Sequence, residues 1–515
     1  MFDMKALILL QRQHSKIGQA VARTLKDTHG VTDFCAYVFS PDTERWIAEE
    51  QNDIFYQPLL SDHKLHAGYK NEIVDTDFIK QFETTYGPPH LWHYLYSDRK
   101  LMMSIGPKEE TTTVIDPLYG HEDLLRIFQA RARPIEKMLR EERPDFILFF
   151  NIGAFAHLLL FHIAKKLGIR TFILDFPRIG NLVSLTEDYN TLTGIGETYL
   201  KRQNATVEDE YVAKAREFIA RFRRTGSLDL EYLAVDAAII NPSKQNPLLR
   251  FESIYRSLSY FAALTKNYWR NRGIFLYGET DMNPLRFLGH KIKRRWRALH
   301  PPMNLYTLPQ AHEEFAFFPL HYEPELAILL LSPFYFDQIM LIRSIARALP
   351  LHMKVYVKEH PSMPTRRARS YYRELLKIPN VHLVPHTIKS TELLNAPGCK
   401  LVTAITGTVG WEACLLQKPV ITFGEVFYNA LPLVRRARSL DDLPALIREQ
   451  MEKPKINESE LLNFVAAAFA DGFPFNYAGL WYENSVEKLM QDAGIVELCR
   501  RLMAKLRETR VMKTQ

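Results

Sequence analysis

Between Phe315 and Phe423 the chain switches hydrophobic period repeatedly, and that alternation constrains the fold more than any other feature of the sequence. Phe315 to Pro319 reads as a short strand, followed by the loop Leu320-His321-Tyr322-Glu323-Pro324-Glu325. Phe336 to Leu349 places Ile339, Leu341, Ile342, Ile345, Ala346 and Leu349 at helical spacing, so an amphipathic helix is expected there. Lys354 to Val357 is β-branched and alternating, hence a strand. A helix over Arg366 to Lys377 stops near Pro379, and a strand over Val381 to Val384 follows. Ser390 to Ala396 reads as a short helix with Ser390 as its N-cap. Leu401 to Ile405 is a strand, Val409 to Leu416 a helix and Pro419 to Phe423 a strand. Such alternation builds βαβ units around a parallel sheet, and a doubly wound sheet takes its ligands beyond the carboxyl ends of its strands.

The first half repeats the signature. Ala6 to Leu10 is an expected strand and Ile17 to Leu25 a helix. Arg143-Pro144-Asp145 leads into a strand over Phe146 to Phe150, and a helix from Ala154 to Leu167 ends at Gly168, a good residue for a left-handed cap. Arg170 to Leu174 is the next strand. From about 180 to 310 the pattern is mostly helical (Val207 to Arg224, Pro247 to Trp269, Pro284 to Ala298), and Glu458 to Lys513 is a helical tail. At 515 residues the chain exceeds what one core supports. The expected division is 1–312 with a helical insertion, 313–455, and a tail over 456–515 packing across the cleft between the two α/β units.

With 47% apolar and 24% charged residues the composition is that of a globular protein, which excludes disorder on a large scale. Cys35, Cys399, Cys414 and Cys499 form no CxxC pair or Cys/His cluster, so no metal site is expected and the thiols read as free and buried. The apolar run after Lys5 is too short for a signal peptide, and Phe146 to Ala164 is broken by Asn151, Gly153, His157 and His162, so no membrane span is expected. A cytoplasmic location follows as the expectation. The net charge of +7 is concentrated in His290-Lys291-Ile292-Lys293-Arg294-Arg295-Trp296-Arg297, either a solvated helix face or a surface for anionic lipid or polymer. No nucleic-acid reader motif accompanies it, so nucleic acid is not an expected partner.

The loop Thr406-Gly407-Thr408-Val409-Gly410-Trp411-Glu412 follows a buried strand and opens a helix. Unpaired amides and the helix dipole make that junction able to hold a phosphate, helped by the Thr406 and Thr408 hydroxyls, with Gly407 allowing close approach. Glu412, one turn in, could accept from ribose hydroxyls. Lys358-Glu359-His360-Pro361 ends an earlier strand at the same sheet edge; Pro361 holds His360 extended, so its imidazole can face the cleft beside Lys358. His321 follows the first strand of this half. Glu323 and Glu325 flank Pro324, so in an extended segment both could point into the cleft and assist proton transfer. In the first half, His14 and Asp175 each follow a strand and are candidates for a general base. The aromatic group Tyr86, His90, Trp92, His93, Tyr94 and Tyr96 reads as core or lid.

Taken in order, Phe318-Pro319-Leu320-His321-Tyr322-Glu323-Pro324-Glu325, Lys358-Glu359-His360-Pro361, Pro379-Asn380-Val381, Thr406 to Ala413 and Lys418-Pro419-Val420-Ile421-Thr422-Phe423-Gly424 resemble the capsule polysaccharide biosynthesis family, which includes Kdo transferases. The resemblance covers roughly residues 315 to 428. It implies a GT-B-like fold, with two Rossmann-type domains facing a cleft, the donor nucleotide on the C-terminal domain and the acceptor on the N-terminal one. It also implies that His360-Pro361 meets a nucleotide and that Thr406 and Thr408 meet its phosphate. The expected activity is a metal-independent glycosyltransferase with a nucleotide-sugar donor, of cytidine or uridine type, and no other cofactor. The acceptor would be a capsular or related polysaccharide or a lipid-linked glycan, with peripheral contact to the inner membrane surface or to capsule assembly proteins. A polyol-phosphate transferase, a sugar-nucleotide epimerase, or a non-catalytic nucleotide- or glycan-binding subunit are the alternatives.

Overall fold

A computed structural model of the chain describes residues 4–50, 53–87, 90–102, 118–203, 209–230, 251–270, 274 and 283–514. The expected helices from Val207 and Pro247 therefore begin outside the described residues.

The first unit starts with β1 (Met4–Leu10), α1 (His14–His29), β2 (Val31–Val38) and β3 (Tyr56–Ser61). Then come α2 (His121–Glu142), β4 (Phe146–Phe149), α3 (Phe155–Leu167), β5 (Arg170–Asp175) and β6 (Leu182–Thr186). β1 is buried along nearly its whole length, as a parallel strand covered by helices on both faces must be. α1 starts at His14, three residues before the expected Ile17, with Gln13 in the N-cap position. It lies close over β1: a Cβ on Gly18 would fall 2.6 Å from Leu10 Cδ2. Gly168 closes α3 at φ 74°, the left-handed cap expected of it.

Among the described residues four helices follow: α4 (Thr193–Gln203), α5 (Glu210–Thr225), α6 (Phe251–Arg270) and α7 (Pro284–Leu299). The second unit runs β7 (Phe315–Pro319), α8 (Gln338–Ala348), β8 (Lys354–Lys358), α9 (Arg369–Leu375), β9 (Val381–Val384), α10 (Ser390–Asn395), β10 (Cys399–Ala404), α11 (Thr408–Leu415), β11 (Val420–Thr422) and β12 (Val434–Arg436). Local chemistry sets two boundaries differently from expectation. α9 begins at Arg369, which leaves Arg366 and Arg367 in the preceding loop, and Ser390 is the first helical residue of α10, with Lys389 in the cap position.

Both sheets share one winding. The first has the order β13 (Phe473–Pro474)-β6-β5-β4-β1-β2-β3 and the second β12-β11-β10-β7-β8-β9. Within the first, β1 to β5 pair in parallel, whereas β6 and β13 are antiparallel. Every named pairing in the second is parallel. In each, the chain winds outward from a central strand (β1 or β7) and then jumps back to that strand's other side (β4 or β10). This is the two-Rossmann, GT-B-like arrangement, and it creates one switch point per unit.

The tail divides. α12 (Glu458–Asp471) packs on α4 and α5 and sets Phe464 5.9 Å from Trp411 of α11, so it bridges the units. β13 then adds to the edge of the first sheet, and α14 (Val486–Gln491) and α15 (Ala493–Thr514) pack on α1, after the short α13 (Tyr477–Tyr482). All four cysteines are free and buried.

Candidate functional site

The second sheet's switch point lies between β7 and β10, and the loops leaving these strands meet there. His321, after β7, accepts at Nε2 the backbone N–H of Thr406, after β10, at 3.2 Å. Its own amide donates to Gln338 Oε1 at 2.7 Å. Burial, followed by the nearby His360 and Arg367, lowers its pKa to about 3, so the ring is neutral. With Nε2 accepting, the proton sits on Nδ1, which is buried, and hydrogen bonding of the ring to the Pro319 backbone and the Gln338 side chain acts against the lowering by burial. Thr406 Oγ1 is buried and unpartnered among the described residues. Gly407 is needed here: a Cβ would fall 2.9 Å from His321 Nε2, against a ring held on two sides. The Gly407 carbonyl accepts from the Tyr428 hydroxyl at 2.8 Å. Gly407 is the N-cap residue of α11 and Thr408 its first helical residue, so the free amides of the helix start face the same crevice.

β8 brings the neighbouring loop. Lys358 is buried, and burial lowers its pKa against the pull of Glu412 and Glu359. Glu412, one turn into α11, is raised to about 7 by burial, with Lys358 acting the other way. The two side chains thus feel one another across the crevice without an ion-pair contact. His360 Nδ1 accepts from the Ser362 amide at 3.2 Å, which leaves Nε2 to carry the proton as a donor. Burial first, then Arg367, Lys358 and Arg366, lower its pKa to about 4. The structure therefore brings His321, Lys358, His360, Thr406, Gly407, Thr408 and Glu412 to one edge of one sheet.

The loops are tied together by a residue that sequence reasoning missed. Arg367, almost fully buried, donates to Glu359 Oε1 at 2.6 Å, to Glu323 Oε2 at 2.9 Å and to the His321 carbonyl at 2.7 Å. Tyr372 of α9 donates to Glu359 Oε2 at 2.7 Å, and Gln338 of α8 donates to Glu323 Oε1. Glu323 is therefore not the cleft-facing carboxylate expected of it: both its oxygens are consumed inside, because a guanidinium buried between two loops requires carboxylates on each side. Glu325 sits half-buried at the cap of the helix Leu326–Leu331. A signal for Arg367 existed: the expected helix opened on Arg366-Arg367, and cations are unfavourable at a helix N-terminus.

The first unit meets the second through the loop after β5. Asp175 ends β5, and its Oδ1 accepts from the Phe176 amide at 2.7 Å. Burial raises its pKa, with that hydrogen bond and Arg178 pulling it back. The same loop touches the second unit, where the Arg178 carbonyl accepts from Trp411 Nε1 of α11 at 3.2 Å. His14 stands at the first sheet's switch point but is enclosed. Its ring stacks on Phe150 (5.5 Å, 9°), meets Trp481 edge-on at 5.1 Å, and has Nε2 2.8 Å from the Tyr477 hydroxyl. Burial, with Arg12, lowers its pKa to about 4. In the remaining aromatic group, Tyr94 is buried and stacks on His162, whereas Trp92 and Tyr96 are exposed. A concavity lined by Glu314, Lys400, Lys418 and Gln450 lies at the amino ends of the second sheet's strands, the edge at which open parallel sheets do not bind ligands.

Residues 308–470 match the model of a family described as capsule polysaccharide biosynthesis protein. Among curated proteins, the chain is 33% identical over 136 residues to Protein FixF of Sinorhizobium fredii (strain NBRC 101917 / NGR234), a match covering 26% of this chain and 32% of that one. The chain thus spans about a third of the length of this curated relative. Similar solved structures include KpsC, beta Kdo 2,7 transferase, of Thermosulfurimonas dismutans, at 15% identity and a TM-score of 0.35, covering 75% of this chain and 92% of that one. Another is a UDP-GlcNAc 2-epimerase from Neisseria meningitidis bound to UDP-GlcNAc, at 12% identity and a TM-score of 0.24, covering 91% and 98%. Residues 308–470, which hold the crevice, its three loops and the Arg367 network, are thus the part of the chain that is similar to the capsule polysaccharide biosynthesis protein family.

Proposed function

We propose that the protein is a glycosyltransferase that binds a nucleotide-activated sugar in the crevice between β7 and β10 and transfers the sugar to a surface polysaccharide or a lipid-linked glycan. The observation that carries this reading is the buried, unpartnered Thr406 hydroxyl at the switch point, beside the open amides of α11 and the Nε2–H of His360. Buried polar atoms are almost always satisfied, so one left open beside these donors points to a polar ligand. A phosphate accepts from all of them at once.

Departure of the nucleotide builds negative charge on its phosphate. Donors already fixed in place, the Thr406 hydroxyl, the α11 amides and His360 Nε2–H, stabilise that charge without reorganising. Lys358 adds a cation, and Glu412 is placed to accept from a ribose hydroxyl. Asp175 is the base we assign to the acceptor hydroxyl: its raised pKa strengthens it as a proton acceptor, and its loop reaches α11 through Arg178. This scheme routes no step through a metal.

A thermal-shift panel of cytidine, uridine, guanosine and thymidine nucleotides tests it. A bound nucleotide at a hundred times its dissociation constant adds about 2.7 kcal/mol to stability. Cytidine or uridine compounds are expected to shift the wild type, and Thr406→Val, which keeps the shape and removes the hydroxyl, should weaken the affinity about tenfold. A shift that Thr406→Val and His360→Ala both leave intact puts the donor elsewhere.

A further inference from the structure

Helix α7 is built with two unlike faces. Phe287 is buried, and Arg294 and Arg297 are half-buried, on the side toward the protein. Phe287 packs with Leu264 of α6, and Arg297 donates to the Arg366 carbonyl, in the loop after β8, at 2.6 Å. The opposite side carries Leu285, Leu288, Ile292, Trp296 and Leu299, exposed by 76, 46, 62, 61 and 65%. At about 100° per residue these positions fall within an ~80° stripe. Lys291 and Arg295 border the stripe on one side, Arg286 and Lys293 on the other. With Arg294 and Arg297 the helix holds six cations and no Asp or Glu.

We propose that α7 is an in-plane anchor that inserts this stripe into a bilayer surface bearing anionic lipid headgroups. A lone apolar stripe rimmed by Lys and Arg, with a Trp among its apolar members, satisfies both phases of such an interface: the stripe enters the acyl boundary and the cations meet the headgroups. A second copy of the chain does not fit, because two such helices would bring their cations together. A polyanion would meet the charge but leave the stripe in water. No helix among the described residues is long and apolar enough to cross a membrane, so the helix lies on the surface rather than through it. Its inner face grips the loop that carries His360, so docking holds the crevice at headgroup level, where a lipid-linked acceptor would be. The inference stands apart from the glycosyl-transfer reading, since no stripe residue lines the crevice.

Vesicle flotation of the full chain tests it, with phosphatidylcholine vesicles, vesicles containing phosphatidylglycerol, and heparin as a polyanion without a bilayer. The protein is expected to float with the phosphatidylglycerol vesicles, to shift its Trp emission to the blue in a way Trp296→Phe removes, and to release as salt shortens the Debye length to about 4 Å near 0.5 M. Lys291→Gln, Lys293→Gln and Arg295→Gln should each weaken binding roughly fivefold. Ile292→Asp, and separately Leu288→Ser, should weaken it at least about tenfold while the far-UV circular dichroism and the urea midpoint stay those of the wild type and report an intact fold. The proposal is overturned if the wild type ignores anionic vesicles, or if binding persists undiminished in both stripe variants. It is equally overturned if the stripe variants abolish a concentration-dependent dimer instead, or if heparin is bound as tightly by Ile292→Asp as by wild type with no vesicle binding.

Discussion

The two sheets wind alike and offer equivalent crevices, yet their contents are opposites. At the first, between β1 and β4, His14 lies flat on Phe150 under Tyr477 and Trp481, and the polar atom on view is already engaged. At the second, between β7 and β10, the Thr406 hydroxyl is buried with its hydrogen-bonding capacity unused. Topology provides the place twice; the side chains of the loops decide what can enter. The tail closes the aromatic first crevice, whereas the donors lining the second suit a phosphate. That contrast supports the proposed placing of the donor on the second unit.

Exchanging the roles of Asp175 and His14 breaks the comparison most directly. Asp175→Asn should lower transfer by about 10²–10⁴-fold, the usual worth of a general base, while the nucleotide-induced thermal shift persists. His14→Gln should keep turnover within the same order of magnitude, because a ring already sealed by the tail has no proton route to an acceptor. Radiolabelled sugar transfer to acceptor checks both, and the reverse ranking reverses the assignment.

Each unit also buries an arginine, and here the difference is one of wiring. Arg131 of α2 is fully buried against Asp62, with Tyr37 donating to the same carboxylate at 2.7 Å, in the first unit and remote from the second crevice. Arg367 holds the loops after β7 and β8 in register. Removing either leaves carboxylates buried without their cation, which costs about 3–5 kcal/mol. Urea unfolding should therefore report similar losses for Arg131→Met and Arg367→Met. Nucleotide affinity should fall only in the latter, as read by thermal shift or titration calorimetry. Equal loss of affinity in both variants would mean that Arg367 acts only through global stability.

What the sequence disclosed follows the same division. The alternation of periods reveals β1, β4 and β5 of the first sheet and β7 to β11 of the second but not β2, β3, β6, β12 or β13, and the junctions at Lys358 to Pro361 and Thr406 to Glu412 are legible as one sheet edge because βα connections are local in the chain. Partners from afar leave no such trace. Nothing near Glu323 announces that a guanidinium 44 positions later will take one of its oxygens, and nothing near His14 announces a tyrosine 463 positions on. Alternation along 323–325 thus placed two carboxylates in the cleft where one is interior. For α7 the cationic run was plain, whereas the apolar stripe becomes meaningful only once the folded chain leaves it uncovered.

The finest test of the contrast is electrostatic. In the first crevice burial lowers the pKa of a base, His14, to about 4; in the second it raises that of an acid, Glu412, to about 7. The linkage signs are opposite. Below about pH 6.5 the unfolded chain binds a proton at His14 that the folded chain refuses, so that contribution to stability fades as pH falls toward 4. Between about pH 4.5 and 7 the folded chain keeps a proton at Glu412 that the unfolded chain has released, so that contribution fades as pH rises. Glu412→Gln should therefore flatten the decline in melting temperature from about pH 5 to 7.5, whereas His14→Gln should flatten the decline on the acid side. Nucleotide binding adds a third reading, because a phosphate brought beside Glu412 disfavours its ionised form. The wild type should take up protons on binding near pH 7, and calorimetry in buffers of different ionisation enthalpy should show that uptake vanish in Glu412→Gln. Uptake that persists in the variant would assign the proton to another group in the crevice and leave Glu412 as a ribose contact alone.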